Sequence, residues 1–484
     1  MAPEPNGSSP KDNFIVVGAG YAGLATSIEL ARRGYAVEVF ESTKELTNQG
    51  DVIQISSYAT LLMSNWGNVL EESVKISSIV PSLAYFDWKG KPIIEAPLPQ
   101  EFGGFPILYS KRGEIQRLMF EHAKSIGVKF RFGVRVTSYF EEGEKAGVYL
   151  GTERFEACGV ISADGIHSHA RSVITGKPAT ARTSGFAIYR CWFNLDTLRD
   201  DPLSRAYAES PEDKFHVWLG RNTHCIVMTN TKLRGAVLFC THKASCPFPH
   251  SHLPSDHANT FLQDDSETGA QESWTCPGKV SDILELMDGW DEVLKAVAKH
   301  IPEDNLIDWK LLWRDPAKKW VSDNGRIVLV GDAAHPHLPT SGSGAGQAFE
   351  DAATIGTLIS EKGVANLPVL FKAFENLRYE RTSLTQRLGW ETRHRWHQTD
   401  WNAVKANPAL VKMPQPEWLY GANAIKYTID NVDAAIDSVE KGSSFTSTNV
   451  PEGHVHEDWT VESMMELEKQ QSQASFYTAS VDVR

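Results

Sequence analysis

A glycine-rich turn near the amino terminus constrains the fold of this chain more than any other feature. Phe14-Ile15-Val16-Val17 is a short apolar run typical of a buried parallel strand, and Gly18-Ala19-Gly20-Tyr21-Ala22-Gly23 follows it directly. Apolar residues then recur at helical spacing until Arg32-Arg33-Gly34, a basic end with a glycine stop. Val37-Glu38-Val39-Phe40 is a second strand-like run. The pattern predicts a strand–helix–strand unit, the beginning of an α/β fold.

Each glycine of this turn has its own physical role. Gly18 permits the tight turn after the strand, Gly20 lets backbone amides approach a pyrophosphate, and Gly23 lets the helix pack closely on the strand. Glu41 ends the second strand, where a carboxylate accepts hydrogen bonds from the hydroxyls of an adenosine ribose and repels a 2′-phosphate. We therefore expect a dinucleotide at this turn, either NAD or FAD.

Two later turns favour FAD over NAD. Asp164 and Asp332 each follow an apolar run typical of a buried strand, and an acid at a strand end can hold the hydroxyls of an extended ribityl chain. Pro339 precedes a glycine cluster in which Gly344 and Ala345 enter a predicted helix. The amides at such a helix start can stabilise negative charge at one end of a flavin ring. An NAD enzyme needs neither feature.

The composition argues against several classes of partner. The formal net charge of −13 provides no basic surplus to neutralise phosphates, so a nucleic-acid partner is not expected. No apolar run reaches the length of about 18 residues that a spanning helix needs, so no membrane anchor is expected. The six cysteines are scattered, and the first residues lack the apolar core of a signal peptide. The predicted location is cytoplasmic.

The chain is long enough for more than one structural unit, and its pattern changes along the sequence. A histidine-rich stretch over 242–257 predicts a polar loop, and no metal site is expected because no ligand pair shares a regular element. The predicted units are a disordered lead (1–12), a Rossmann-type FAD-binding domain in two parts (13–175 and 301–400), an inserted β-sheet-rich substrate domain (176–300), a C-terminal helical segment (401–440) and a flexible tail (441–484).

The three turns, in this order, resemble those of the single-component FAD-dependent aromatic monooxygenases, the salicylate-hydroxylase-like family. The resemblance extends over residues 13–400 and includes Gly50 in the stretch GDVIQI, followed by Leu61-Leu62 and Trp66-Gly67. It also includes Arg112 before a predicted helix, where the family's arginine approaches the flavin. Fungal monooxygenases of secondary metabolism, some acting on indole alkaloids, are similar in general plan.

The resemblance implies an enzyme that consumes NADPH or NADH together with O₂. It implies oxygenation of an electron-rich aromatic small molecule through a flavin C4a-hydroperoxide. The loop 336–344 would lie against the flavin, and the β-rich domain would roof a cavity from which water is excluded. We expect a monomer or a homodimer.

Departures from the family pattern bear on the substrate. Phenol hydroxylases commonly use a Tyr or His base on a strand that here contains Val227-Met228-Thr229-Asn230, and the nearby His216 and His224 are interpreted as structural. Asp51 stands where the family usually has a small residue, and burying it is costly without a partner. Arg190 lies on a strand that borders the active site in relatives. We predict that Asp51 and Arg190 form a catalytic pair.

Such a pair suits a substrate that needs no deprotonation. Indole is nucleophilic at C3 unaided, and an Asp–Arg pair could protonate an opening epoxide and direct its rearrangement. This favours an indole alkaloid substrate. The alternatives are ring hydroxylation of a phenolic or benzoate-type substrate, or an FAD-containing protein without turnover that acts as a binding or redox-sensing module.

Overall fold

The computed structural model describes residues 12–46, 50–176, 182–243 and 276–470. The predicted disordered lead, apart from its last residue, and most of the histidine-rich stretch lie outside the described residues. Among the described residues, no helix combines the length and the apolar character needed to cross a bilayer.

The strands are, in chain order, β1 Asn13–Val17, β2 Ala36–Phe40, β3 Val52–Ile55, β4 Ser82–Asp87, β5 Pro92–Pro97, β6 Glu101–Phe102, β7 Phe105–Pro106, β8 Leu108–Lys111, β9 Lys129–Arg131, β10 Ser138–Glu142, β11 Lys145–Leu150, β12 Glu153–Ala157, β13 Gly159–Ser162, β14 Arg182–Asn194, β15 Phe215–Gly220, β16 Thr223–Asn230, β17 Gly235–Lys243, β18 Ile307–Trp313 and β19 Ile327–Leu329. The helices are α1 Tyr21–Ala31, α2 Ser57–Met63, α3 Val69–Ile76, α4 Arg112–Ser125, α5 His169–Thr175, α6 Arg205–Glu209, α7 Val280–Leu286, α8 Glu292–Lys299, α9 Gly344–Lys362, α10 Leu367–His397, α11 Trp401–Ala406, α12 Glu417–Tyr420, α13 Ala424–Lys441 and α14 Val461–Gln470.

A five-stranded parallel sheet brings the predicted cofactor residues to one edge. Its strand order is β19-β13-β1-β2-β9, and every neighbouring pair is parallel. Parallel strands place their carboxyl ends at the same edge, where ligands bind in open α/β sheets. The segments that follow β1, β2, β13 and β19 contain Gly18, Glu41, Asp164 and Asp332. The predicted strand–helix–strand unit and the α/β fold class are confirmed.

A seven-stranded sheet forms the β-rich part of the molecule. Its order is β18-β14-β17-β16-β15-β4-β5, and only the β15–β4 pair among them is parallel. The predicted boundaries 176–300 do not match this sheet, because β4 and β5 come from the predicted range 13–175 and β18 from 301–400. Local hydrophobic patterns identify strands, but partners distant in sequence are chosen when the sheet faces are buried.

Helices cover both faces of the seven-stranded sheet. On one face, Leu195, Val227 and Leu238 pack in a cluster with Ile283 of α7 and Leu294 of α8. On the other face, Val217 and Leu219 of β15 pack with Trp396 near the end of α10, together with Leu83, Tyr85, Val404 and Val411. The long helix α10 therefore connects the sheet to the cofactor-binding half.

The C-terminal strap, which we define as residues 451–470, departs from the prediction of a flexible tail over 441–484. Residues 471–484 of that prediction lie outside the described residues. Trp459, Val461 and Met464 are buried in a cluster with Trp313 and Trp390. The polar composition of this segment predicted mobility, but its few apolar side chains are buried and its polar groups bond to the rest of the protein.

Glu468→Gln removes the carboxylate that connects the strap to α10. Arg393 Nη2 donates to Glu468 Oε1 at 2.5 Å, and the Arg393 side chain is only 2% exposed. Removing the partner of a buried charge is strongly destabilising, and the partial exposure of Glu468 reduces the effect. We expect the free energy of unfolding to fall by about 1–3 kcal/mol in chemical denaturation.

Glu452→Gln is the matched control, because Glu452 is exposed on the same strap. Burial opposes ionisation of Glu468, but its hydrogen bond with His394 and the charge of Arg393 lower its pKa below the usual value. A carboxyl whose pKa is depressed by folding stabilises above its unfolded pKa and loses that contribution as the pH falls. The stability difference between Glu468→Gln and the unsubstituted protein should therefore be full near neutrality and shrink below about pH 4. Equal effects of the two substitutions would contradict this account.

Candidate active site

The turn between β1 and α1 is tightly packed at Gly18 and Gly23 and open at Gly20. Gly18 has φ +102°, and a Cβ there would lie 2.5 Å from the carbonyl oxygen of Ala163. A Cβ on Gly23 would lie 1.9 Å from the Gly18 carbonyl oxygen, whereas a Cβ on Gly20 would meet nothing within 4 Å. Close backbone packing thus requires Gly18 and Gly23, and the free space beside Gly20, the N-cap of α1, fits a phosphate.

Glu41 fixes this turn from the end of the neighbouring strand. The Ala19 N–H donates to Glu41 Oε2 at 2.7 Å, and the Thr43 N–H donates to Oε1 at 2.7 Å. Gln116 of α4 donates to the Ala19 carbonyl oxygen at 2.9 Å. The carboxylate is therefore held at the sheet edge, where it fits the role of a ribose acceptor.

A cavity of about 350 Å³ extends from this sheet edge to the seven-stranded sheet. It brings together five of the residues predicted from sequence, namely Arg112, Asp164, Arg190, Asp332 and Pro339. Gly344 and Ala345 do not line it; they begin α9 beyond the loop. Pro336, His337 and Leu338 of the predicted loop 336–344 also line it. Further lining residues, which were not singled out from sequence, are Gly165, Ile166, His167, Trp309, Leu311, Leu312, Trp313, Arg314, Gln386 and Trp459.

Two carboxylates enter the cavity from strand ends. Asp164 accepts hydrogen bonds from Ser162 Oγ at 2.6 Å and from the His169 N–H at 3.0 Å, which fix its orientation. Asp332 is exposed to the cavity, and desolvation by the protein around it raises the pKa of its carboxyl, with Arg112 acting in the opposite direction. Carboxylates at this edge, such as Asp164 and Asp332, could accept hydrogen bonds from the hydroxyls of a ribityl chain.

Arginines lie in and behind the cavity lining, which also contains the carboxylates of Asp164 and Asp332. Arg112, Arg190 and Arg314 line it, and Arg171 lies behind, donating to the carbonyl oxygens of Ala334 at 3.3 Å and Asp315 at 2.8 Å. Burial, and then the charge of Arg314, lowers the pKa of Arg171 to about 10. Guanidinium groups suit the diphosphate of a dinucleotide.

Asp51 and Arg190 form a bidentate ion pair at the edge of the cavity. Arg190 Nη2 donates to Asp51 Oδ1 at 2.5 Å, and Arg190 Nε donates to Oδ2. The side chains are 3% and 11% exposed, so the two charges are desolvated together. The Arg190 guanidinium also lies 5.4 Å from the ring centre of Trp309 and 5.5 Å from that of Phe239. Their catalytic role stays a prediction, but the structure brings the two residues together.

The start of β3 is joined to the cofactor side of the cavity. Gly50 has φ +103°, and a Cβ there would lie 3.3 Å from carbons of the Arg112 side chain. The Asp51 carbonyl oxygen accepts a hydrogen bond from the Arg112 N–H at 2.7 Å. The backbone that carries Asp51 and the arginine predicted to approach the flavin are therefore placed by the same contact.

A buried acid holds the turn that carries Asp332. Asp351 Oδ2 accepts a hydrogen bond from the Gly331 N–H at 2.9 Å and lies 2.6 Å from His335 Nε2. Asp351 Oδ1 accepts from Arg378 Nε at 2.8 Å. These side chains are at most 1% exposed. Helix α9 thus fixes the conformation of the turn through one carboxylate.

Glu350 completes the network without touching that turn. It accepts from Arg378 Nη1 at 2.6 Å and from Arg381 at 2.8 Å through both carboxylate oxygens. Sequence reasoning missed this network. The available signal was an acidic pair inside the apolar run AFEDAA, since adjacent acids in a buried helix need partners.

The two histidines considered from sequence lie away from the cavity. His224 Nδ1 is 2.7 Å from His397 Nε2, and burial lowers the pKa of His224 to about 3. His216 Nδ1 is 2.7 Å from the Tyr207 hydroxyl, and burial lowers its pKa to about 4. Their interpretation as structural residues agrees with these contacts.

The family follows from comparison with known proteins. The model described as an FAD binding domain matches residues 12–366, which is more than half of the chain, so the chain belongs to that family. The FAD-dependent monooxygenase fsr3 of Gibberella fujikuroi is 30% identical over 475 residues, covering 94% of this chain and 86% of the relative. The asperlicin C monooxygenase of Petromyces alliaceus is 32% identical over 415 residues, covering 84% and 85%. The notoamide E oxidase notB' of Aspergillus versicolor is 28% identical, covering 92% and 94%.

Solved structures agree with this assignment. CtdE in complex with FAD and substrate has a TM-score of 0.79 at 28% identity, covering 89% of this chain and 100% of that chain. Salicylate hydroxylase has a TM-score of 0.68 at 20% identity, covering 87% and 98%, and shows the fold alone. The protein is an FAD-dependent monooxygenase of the kind found in fungal secondary metabolism, and the predicted family is confirmed. A flavin-free NAD dehydrogenase is excluded.

Asp351→Asn should weaken FAD binding. The substitution removes a charge from the Arg378 pair and disturbs the contacts to Gly331 and His335. We expect the apoprotein to lose about 3 kcal/mol of stability and the Kd for FAD to rise at least about tenfold. Flavin fluorescence titration of apoprotein measures the Kd, and thermal unfolding without FAD measures the stability.

Glu350→Gln is the matched control, because Glu350 has a comparable buried ion pair but does not contact the turn. We expect a similar loss of apoprotein stability with a much smaller change in FAD affinity. If both substitutions weaken FAD binding equally, Asp351 contributes only general stability.

Proposed function

We propose that this enzyme uses NADPH or NADH and O₂ to epoxidise or hydroxylate an electron-rich aromatic small molecule, most specifically the indole ring of an alkaloid. One observation carries the proposal, namely the desolvated Asp51–Arg190 pair, whose arginine lines a cavity that also contains three tryptophans. FAD, when bound, supplies the activated oxygen derived from O₂. The tasks left to the protein are positioning, exclusion of water and handling of charge.

The cavity divides these tasks between its two ends. The nucleotide and the ribityl chain would be held by the Gly18–Gly23 turn, Glu41, Arg112, Asp164 and Asp332. The flavin ring would adjoin Pro339 and the start of α9. Trp309, Leu311, Trp313 and Leu338 would hold the aromatic ring of the substrate. A volume of about 350 Å³ is within the usual range of small-molecule pockets.

The histidines that line the cavity are poor bases for deprotonating a phenol. No tyrosine is among its lining residues within the described part of the chain. Burial and the charge of His335 lower the pKa of His337 to about 3, which makes it a poor base at neutral pH. Burial, with the charges of Arg314 and Arg135, also lowers the pKa of His167. An indole ring requires no such base, and the relative named notoamide E oxidase supports this choice.

The ion pair has a definite part in the proposed reaction. Asp51 orients the guanidinium of Arg190 and balances its charge. Arg190 then donates a hydrogen bond to the oxygen of an opening epoxide, stabilising negative charge as the C–O bond breaks. A fixed donor favours one direction of rearrangement over another. We place the reaction in the cytoplasm, as composition indicates.

The proposed function is tested by following products in ¹⁸O₂. Holoenzyme is incubated with NADPH or NADH and two panels, one of indoles and one of phenols, and product mass is measured. The proposal expects one ¹⁸O atom in products of the indole panel. Labelled products from phenols alone would establish the ring-hydroxylase alternative. Failure of every panel member to accelerate NAD(P)H oxidation would favour a binding or redox-sensing protein.

Asp51→Asn and Arg190→Lys should separate flavin reduction from product formation. Because the pair is assigned to the step after oxygen transfer, flavin reduction by NAD(P)H should change by less than about threefold. The rate of product formation should fall about 10²-fold, with a changed product distribution, since a preorganised donor is lost. Stopped-flow absorbance and product chromatography measure the two effects.

Asp196→Asn is the matched control for this experiment. Asp196 forms an ion pair with Arg234 beside the same sheet, but the pair is exposed and neither residue lines the cavity. Unchanged product yield and distribution in Asp51→Asn and Arg190→Lys would exclude a catalytic part for the pair.

A further inference from the structure

The C-terminal strap supplies one residue of the cavity wall. Trp459 lines the cavity together with Arg190, Trp309 and Trp313. The family model ends at residue 366, so this wall comes from outside the part of the chain that defines the family. Trp459 lies in the region predicted from sequence to be a flexible tail.

The orientation of the Trp459 ring is fixed. Its indole Nε1 donates to Ser383 Oγ on α10 at 3.0 Å, and its ring packs edge-to-face with Trp313 at a centroid distance of 6.4 Å. Trp459 is 8% exposed. Because the only polar atom of the side chain already has a partner, the ring can present only apolar surface to a ligand.

The strap is anchored on both sides of this tryptophan. On one side, Asp458 pairs with Lys318 at 2.6 Å and accepts from the Tyr379 hydroxyl at 3.1 Å. On the other side, the Val461 N–H donates to Asp315 Oδ1 at 2.8 Å, and the Val461 side chain is fully buried. With both flanking positions held, the ring cannot leave the cavity without breaking several contacts.

The wall that adjoins the strap is built from the seven-stranded sheet. Leu311 and Trp313 of β18 lie in the same apolar cluster as Trp459, and Leu338 joins it from the loop after Asp332. Arg190 reaches the cavity from β14, which pairs with β18. Arg190 is paired with Ile307 at the start of β18, whereas Trp459 packs on Trp313 at its end. Trp459 therefore borders the cavity at the Trp313 end, away from the backbone of the predicted catalytic arginine.

We propose that Trp459 is a specificity-determining residue that limits the length of the aromatic substrate. The proposal rests on the function proposed above and adds the residue that selects among ring systems. A rigid, apolar ring at the end of the cavity favours a compact aromatic group in contact with it. A substrate extended beyond that group meets the strap. Replacing Trp459 with a small residue extends the cavity towards the strap.

The test uses two probes that share one ring but differ in length, indole and the cyclic dipeptide of tryptophan and proline. Each is titrated into oxidised holoenzyme, and the change in flavin absorbance gives its Kd. For Trp459→Ala we expect the ratio of the Kd for indole to the Kd for the cyclic dipeptide to rise at least about tenfold, because the variant favours the larger probe. Trp459→Phe should keep the ratio within about threefold of the unsubstituted value, because it retains an aromatic wall.

Val455→Ala is the matched control, since Val455 is 78% exposed on the same strap. It should leave both Kd values unchanged. FAD content and thermal stability are measured for every variant. A shift of less than about tenfold in Trp459→Ala overturns the proposal. Failure of both probes to bind the unsubstituted protein and the variants overturns it as well. Equal weakening of both probes, accompanied by loss of FAD, also overturns it, because that result shows a structural role only.

This experiment is separable from the test of the proposed function. The Kd ratio is measured without NAD(P)H, so it does not depend on turnover. A shifted ratio without any oxygenated product would contradict the proposed function and support the role of Trp459. Oxygenated indole products with an unshifted ratio would do the reverse.

Discussion

The ion pair between Asp51 and Arg190 is the constraint on which the arrangement of the site depends. Two charges this deeply enclosed are tolerated only while they face each other, since either one alone would be buried without compensation. The pair therefore holds the start of β3 against β14 of the large sheet. The Asp51 carbonyl oxygen accepts a hydrogen bond from the Arg112 N–H, so the two cavity-lining arginines, Arg112 and Arg190, are positioned by the same stretch.

A second set of buried charges, on α9 and α10, supports the predicted cofactor site. Asp351 and Arg378 are buried and do not line the cavity, yet they fix the conformation of the turn that carries Asp332. The two networks therefore have separate positions: one fixes the turn of Asp332, the predicted ribityl acid, and the other holds the Arg190 guanidinium at the cavity. The strap adds Trp459 to the cavity lining, where we propose that it limits substrate length.

Sequence patterns predicted those parts of the site that are encoded locally. Gly18, Glu41, Asp164 and Asp332 could be identified because each follows a strand, and parallel strands place such residues at one edge. The features that escaped prediction depend on contacts between distant segments. Nothing near Trp459 indicates that it docks on Ser383, and nothing near β4 indicates that it pairs with β15. Asp351 was detectable in principle, because an acid in an apolar helix implies a partner. The partners themselves are distant in sequence, so only the folded structure identifies them.

The most direct test of the account is a structure of the protein with FAD and an indole-bearing ligand bound together. The account predicts the ribityl hydroxyls at Asp332 and the ligand ring against Trp309 and Trp313. It also predicts the Arg190 guanidinium, still paired with Asp51, within about 3 Å of an oxygen placed at the reacting carbon. A ligand bound on the far side of the flavin, with Arg190 turned away from it, would contradict the account.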